Sequence, residues 1–150
     1  MKILIVEDRG IIILNMTETL MERGHFVTEA MKISDAINHY EIGKYDCLIV
    51  DLNMDNEGLS KEQRLETEAG KLTGWIWLKY HVYNVDLKMR QRTIIYSEYI
   101  PALTKYCRTN NETLEDIYVV AKKGSSSPAS KLINYVNAIT NLKNEQNGGH

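Results

Sequence analysis

Four short apolar runs in this sequence each end in a residue type suited to phosphate or cation chemistry. Residues 3–6 lead into Glu7 and Asp8, residues 47–50 into Asp51, residues 93–96 into Ser97, and residues 117–121 into Lys122 and Lys123. Carboxylates that share a site raise one another's pKa unless a cation lies among them. An all-oxygen set favours a hard ion that keeps several waters, which points to Mg²⁺ with one or two carboxylates and phosphate oxygens in its shell. A carboxylate can also be a nucleophile and form an aspartyl-phosphate. Phosphoryl transfer depends mainly on positioning and charge neutralisation. A metal would neutralise one side of the phosphoryl group and a lysine the other, with a serine hydroxyl donating to a phosphoryl oxygen.

This chemistry requires the four run ends to meet, and the intervening sequence supplies the means. The runs are rich in β-branched residues and nearly continuous, as in strands buried on both faces of a parallel sheet. Residues 26–29 form a weaker fifth candidate. Between the runs, Ile12, Ile13, Met16 and Leu20 recur at helical spacing, and Arg23-Gly24 closes that segment. Ala36, Ile37 and Tyr40 predict a second helix ending near Gly43. Trp75, Leu78 and Val82 predict a third after Gly74, and Ile100, Leu103 and Cys107 a fourth. A fifth starts with Ser127 as N-cap and Pro128 at the first helical position, and carries the stripe Leu132, Ile133, Val136, Ile139 and Leu142. Five alternations predict an α/β fold: a doubly wound, five-stranded parallel sheet in order 2-1-3-4-5. Ligands of such sheets bind beyond the carboxyl ends of the strands, where all four run ends would converge.

Residues 55–73 break this rhythm. The stretch is strongly charged and separates the third strand from its helix. Ser60-Lys61-Glu62-Gln63 has capping-box spacing, so a short helix over about 61–69 is expected. With almost no apolar stripe, this insert is expected to be a solvated surface excursion. One domain over residues 1–143 is expected, followed by a polar, glycine-rich, disordered tail at 144–150. No output domain is expected within these residues after the last helix.

The bulk numbers exclude several classes. A net charge of −2 gives no basic field for nucleic acid. No apolar run approaches a membrane span, and the N-terminus becomes acidic too soon for a signal peptide. Cys47 and Cys107 make neither a disulfide framework nor a CxxC pair, so a reduced, cytoplasmic setting is expected. His25, His39, His81 and His150 have no metal-ligand spacing. Trp75 and Trp77, two apart on a helix, are expected to be one core and one rim residue. Tyr96, Tyr99, Tyr106 and Tyr118 either pack the core and edge or form a partner surface.

The strings Ile3-Leu4-Ile5-Val6-Glu7-Asp8, Leu48-Ile49-Val50-Asp51-Leu52-Asn53-Met54, Ile94-Ile95-Tyr96-Ser97 and Ala121-Lys122-Lys123 together resemble the receiver domain of bacterial two-component response regulators, of the stand-alone type. The likeness covers about residues 2–142. It implies a flavodoxin-like fold with Asp51 as phosphoacceptor and Asp8 as a direct Mg²⁺ ligand. Glu7 would act through water, and the Asn53 backbone carbonyl would be the third protein ligand. Ser97 would be the switch hydroxyl. Lys123 would be the lysine that contacts the phosphoryl group, with Lys122 its nearest rival, since only the strand end places it. The implied partners are a sensor histidine kinase or histidine phosphotransfer protein, a downstream protein, and, as one option, a second copy in a homodimer. Neither nucleic acid nor membrane is expected to bind directly. Such a domain catalyses only its own phosphorylation and dephosphorylation.

The chain departs from this pattern in three places. Gly124 stands where a proline usually follows the lysine, and Asp55 where a proline usually follows the methionine. The usual switch aromatic, three residues before the lysine, is Val120 or Val119, with Tyr118 farther back. These departures motivate an alternative, a receiver-like interaction module that no longer needs phosphate. A third reading, a phosphatase using Asp51 as nucleophile, would need a carboxylate two residues on, where Asn53 stands.

Overall fold

The computed structural model describes residues 1–124 and 127–148. Ser125 and Ser126, between Gly124 and Ser127, and Gly149 and His150, at the end of the expected tail, lie outside the described residues. Strands β1 (Lys2–Val6), β2 (Phe26–Ala30), β3 (Cys47–Val50), β4 (Thr93–Ser97) and β5 (Tyr118–Ala121) form one sheet in the order β2-β1-β3-β4-β5. Every pairing is parallel. The expected doubly wound, flavodoxin-like architecture is therefore the observed one.

Side-chain alternation along each strand divides the core in two. Ile3, Ile5, Cys47, Ile49, Ile94 and Val120 face helices α1 (Gly10–Glu22) and α6 (Pro128–Gly148). Leu4, Val6, Leu48, Val50 and Ile95 face α2 (Ile33–His39), α4 (Thr73–Trp77) and α5 (Ile100–Thr109). Helices α1 and α6 bury most of the stripe their sequences predict, Ile13, Met16 and Leu20 on α1 and Leu132, Val136 and Ile139 on α6, while Ile12, Ile133 and Leu142 are half-buried. The Ser127 carbonyl accepts the Lys131 N–H just before α6, with Ser127 itself in left-handed backbone (φ 51°), and Pro128 occupies the first helical position.

Four expectations are corrected. The insert contains the short helix α3 (Lys61–Leu65), and its capping box is formed by Ser60 and Gln63. It ends at Leu65 rather than near residue 69, because Glu68 and Ala69 adopt left-handed backbone. Nor is the insert wholly solvated. Leu59, Thr67, Leu72 and Thr73 are buried, and Glu66 accepts hydrogen bonds from the Tyr80 and Tyr106 hydroxyls. Single buried residues and polar pairs anchor it, and neither leaves an apolar stripe in the sequence. Trp75 and Trp77 are both core, because their segment is covered on two flanks. Trp77 meets the Tyr40 ring edge-on and Trp75 meets Tyr83, each at 6.1 Å. Beyond Trp77 the helix widens into a π-helical stretch, Leu78–Tyr83. Finally, α6 continues through Gly148, so residues 144–148 are helical, not an unstructured tail. Gln146 on this last turn accepts a hydrogen bond from Arg92.

At the pole opposite the carboxyl ends, Asp46 ties three segments together. It accepts from the Lys2 backbone N–H and from Lys143 of α6, each at 2.9 Å, and lies 3.8 Å from Arg92. Burial pushes its pKa up, but these partners outweigh burial and hold it below the ordinary value. A depressed carboxyl contributes stability above its unfolded pKa and loses it as pH falls through the folded one. Asp46→Asn is therefore expected to cost about 1 kcal/mol near neutrality, as for partly screened pairs. In urea titrations its deficit relative to wild type should shrink as pH drops below the ordinary carboxylate range.

Candidate functional site

The sheet brings the carboxyl ends of β1, β3, β4 and β5 side by side. The ladder also runs one residue past three strands: Glu7 N–H donates to the Ala30 carbonyl, Asp51 N–H to Val6, and Lys122 N–H to Ser97. Alternation is thus preserved through the site. Glu7, Asp51 and Lys122 continue the odd or even series of Ile3–Ile5, Cys47–Ile49 and Val120, and so project toward the α1/α6 face. Ser97 follows Ile95 on the opposite face.

Oxygens of Glu7, Asp8 and Asp51 lie within 4.8 Å of one another. Glu7 and Asp51 are buried, 1% and 6% exposed, while Asp8 opens to solvent. Lys122 Nζ lies between the two buried carboxylates, 2.9 Å from Glu7 Oε1 and 3.4 Å from Asp51 Oδ2. Its ammonium also sits over the Tyr96 ring, 5.2 Å from the centroid. Asp51 Oδ1 accepts the Leu52 N–H at 2.8 Å. Ser97 is fully buried, and its hydroxyl oxygen accepts the Tyr99 N–H at 3.1 Å. Asn53 and Asp8 line a cleft of about 340 Å³ beside the cluster, together with Met54, Asp55, Asn56, Ala69 and Gly70 of the insert.

The electrostatics show too much negative charge for one cation. Burial, then the hydrogen bond and charge of Asp51, push the Glu7 carboxyl up to about 8, against the pull of Lys122. Burial and Asp51 also raise Asp8. Glu7 Oε2 is buried with no donor to it among the described residues. A hard divalent ion would relieve all three effects, and the all-oxygen donor set suits Mg²⁺.

The structure thus brings Glu7, Asp8, Asp51 and Ser97 to one edge. Asn53 lies at the adjoining cleft. The lysine is corrected. Lys123 points away, its side chain 78% exposed and its Nζ 3.4 Å from Glu98 Oε2, whereas Lys122 is 7% exposed and enters the site. Pleating sends consecutive side chains to opposite faces, so only one of the two could reach Asp51.

Two groups at the rim were not legible beforehand. Arg9 Nη1 lies 3.0 Å from Glu98 Oε1, so Arg9, Glu98 and Lys123 join three loops around the mouth. Thr67 and Thr73, inside a stretch that reads as charged and solvated, are completely buried beside it. No apolar periodicity marks either threonine.

No protein-family model matches the sequence, and no curated protein sequence matches it either. Solved structures do match in fold. A CheY-like response regulator receiver domain protein from Methanospirillum hungatei is similar at a TM-score of 0.64 and 14% identity, over 96% of this chain and 97% of that one. A response regulator receiver domain protein from Clostridium thermocellum gives 0.60 and 18%, over 95% of both chains. The non-phosphorylated HemR receiver domain from Leptospira biflexa gives 0.60 and 16%, over 92% of both. At these identities the shared property is the fold.

Proposed function

We propose that this chain, which has the fold of response regulator receiver domains, is a phosphorylation-dependent signalling switch that accepts a phosphoryl group on Asp51. The observation that carries this reading is a buried carboxylate held beside a second buried carboxylate and a buried lysine. Lys122 Nζ lies 3.4 Å from Asp51 and 2.9 Å from Glu7 at the carboxyl edge of the sheet.

One Asp51 carboxylate oxygen attacks the phosphorus of a phosphohistidine on a sensor histidine kinase or phosphotransfer protein. The new P–O bond forms as the P–N bond breaks, and the imidazole leaves neutral after taking a proton. Mg²⁺, held by Asp8, Asp51 and the Asn53 carbonyl with Glu7 acting through water, would supply charge neutralisation on one side of the phosphoryl group. Lys122, whose Nζ is 3.4 Å from Asp51, would neutralise the other side. The buried Ser97 hydroxyl, whose oxygen now accepts the Tyr99 N–H, would swing to donate its own proton to a phosphoryl oxygen. That movement would bias the loop leading into α5 and the surface formed by α5, β5 and α6, which a downstream protein reads. The domain acts on itself and turns over no separate substrate.

The test is phosphoryl uptake from labelled phosphoramidate with Mg²⁺. Wild type should incorporate about one label per chain, and Asp51→Asn none. Uptake by Asp51→Asn at the wild-type rate would eliminate the assignment.

One observation favours a second reading, phosphate-independent binding. The residue three before Lys122 is Val119, and the nearby Tyr118 ring is packed on Tyr135 of α6 with centroids 4.5 Å apart. If that reading holds, beryllofluoride with Mg²⁺ will leave amide exchange in α5 unchanged. Altered exchange there supports the switch.

A further inference from the structure

We propose that Thr73, in the closing turn of the 55–73 insert, is a positioning residue that aims the Asn53 carbonyl at a divalent cation. This inference rests on the site reading above. A backbone carbonyl has no rotamer of its own, so its direction is set by the dihedrals of the peptide units on either side. None of residues 52–56 is proline, so nothing local restricts φ there.

The insert supplies the restriction from outside. Met54 N–H donates to the Gly70 carbonyl at 3.2 Å, and the Met54 carbonyl accepts from Thr73 Oγ1 at 2.7 Å. On the other side, the Leu52 carbonyl accepts the Gly74 N–H at 3.0 Å, and the Leu52 N–H is held by Asp51 Oδ1 at 2.8 Å. Residues 52 and 54 are thus fixed, and the Asn53 carbonyl lies between them. Thr73 Oγ1 also lies 3.0 Å from the Gly70 carbonyl. A hydroxyl has one proton, so the shorter contact to Met54 takes the larger share. Thr73 is completely buried, where an unmade hydrogen bond is expensive.

The turn that leads up to Thr73 is held from several sides. Glu68, Ala69 and Gly70 are successively left-handed, with φ of 51°, 59° and 91°. Such backbone persists only where its surroundings hold it. Here the Thr67 hydroxyl accepts the Gly70 N–H and the Asn56 amide, each at 3.1 Å, and donates to the Arg64 carbonyl at 2.8 Å. A Cβ at Gly70 would stand 3.1 Å from the Met54 carbonyl oxygen, so turn and ligand loop fit closely. The insert is therefore the rigid backing of the cation site, not a decoration on the surface.

The test is Mg²⁺ affinity by calorimetry, with unfolding of the metal-free proteins measured separately. Thr73→Val keeps the shape and removes the donor, and should weaken Mg²⁺ binding about tenfold, as loss of an outer-shell partner does. Thr73→Ser keeps the hydroxyl and should restore affinity to within roughly twofold. If Thr73→Val does not fold, Asn56→Ala loosens the same turn from a half-buried position and should weaken binding roughly threefold. Wild-type affinity in whichever variant folds, or a Thr73→Ser protein as weak as Thr73→Val, overturns the inference and leaves the site reading standing. A wild-type protein that binds no Mg²⁺ overturns both.

Discussion

Replacing Lys122 with methionine should slow phosphoryl uptake by Asp51 about 10²- to 10³-fold, the usual cost of deleting one preorganised donor at a centre of developing charge. Replacing Lys123 with methionine should leave the rate within roughly twofold, as for a solvated surface charge. The asymmetry follows from exposure: Lys122 lies between Glu7 and Asp51, while Lys123 lies in solvent beside Glu98. The effect should fall on rate more than on stability. Removing one member of a buried ion pair is costly when it strands a charge. Here the Glu7 carboxyl, already pushed up to about 8 by burial and Asp51, can keep its proton when the ammonium goes, and Asp51 keeps its hydrogen bond from the Leu52 N–H. A stability loss of about 1–2 kcal/mol is expected by denaturant titration, in line with one lost buried hydrogen bond. Rapid-quench kinetics with labelled phosphoramidate would decide the matter, and a Lys123→Met protein as slow as Lys122→Met would refute the placement.

Gly74→Ala should damage the fold and the site together. A Cβ there would lie 2.0 Å from the Asp51 carbonyl oxygen and 2.9 Å from Val50 Cγ1. The first obstacle is backbone, which cannot rotate aside. Helix α4 must back away from β3, breaking the Gly74 N–H bond to Leu52, or Asp51 must move. Overpacking a well-packed core costs about 1–3 kcal/mol, and more where backbone is displaced. A loss near 3 kcal/mol lowers Tm by roughly 6–12 °C in a domain of this size. Scanning calorimetry measures that shift, and Mg²⁺ titration reads the displacement of Asp51. A melting temperature within about 2 °C of wild type would show that the helix does not press on the strand end as described.

Much of this arrangement is legible in local pattern. Continuous β-branched runs separated by amphipathic stripes dictate a parallel sheet with helices on both faces, because each element can bury its apolar surface only in that way. Residues that end such runs must collect at one edge, so Glu7, Asp8, Asp51 and Ser97 could be grouped before any coordinates. The capping box at Ser60 and Gln63 was also legible, since its spacing is local. The choice between Lys122 and Lys123 was not. Both flanking valines are apolar, so a strand buried on two faces carries no mark of which series points where. Only the register of β5 against β4, with Ser97 opposite Ala121, decides it.

The insert shows the same division. Its charge pattern correctly places a short helix at the surface, because capping depends on residues three apart. Its anchoring depends on residues far apart in sequence: Thr73 with Met54, and Glu66 with Tyr80 and Tyr106. Sequence alone determined which elements form and which reactive groups end them, since period and propensity act over a few residues. Tertiary structure alone decided which lysine faces Asp51 and what backs the Asn53 loop. Strand phase and long-range hydrogen bonds exist only once distant segments have packed.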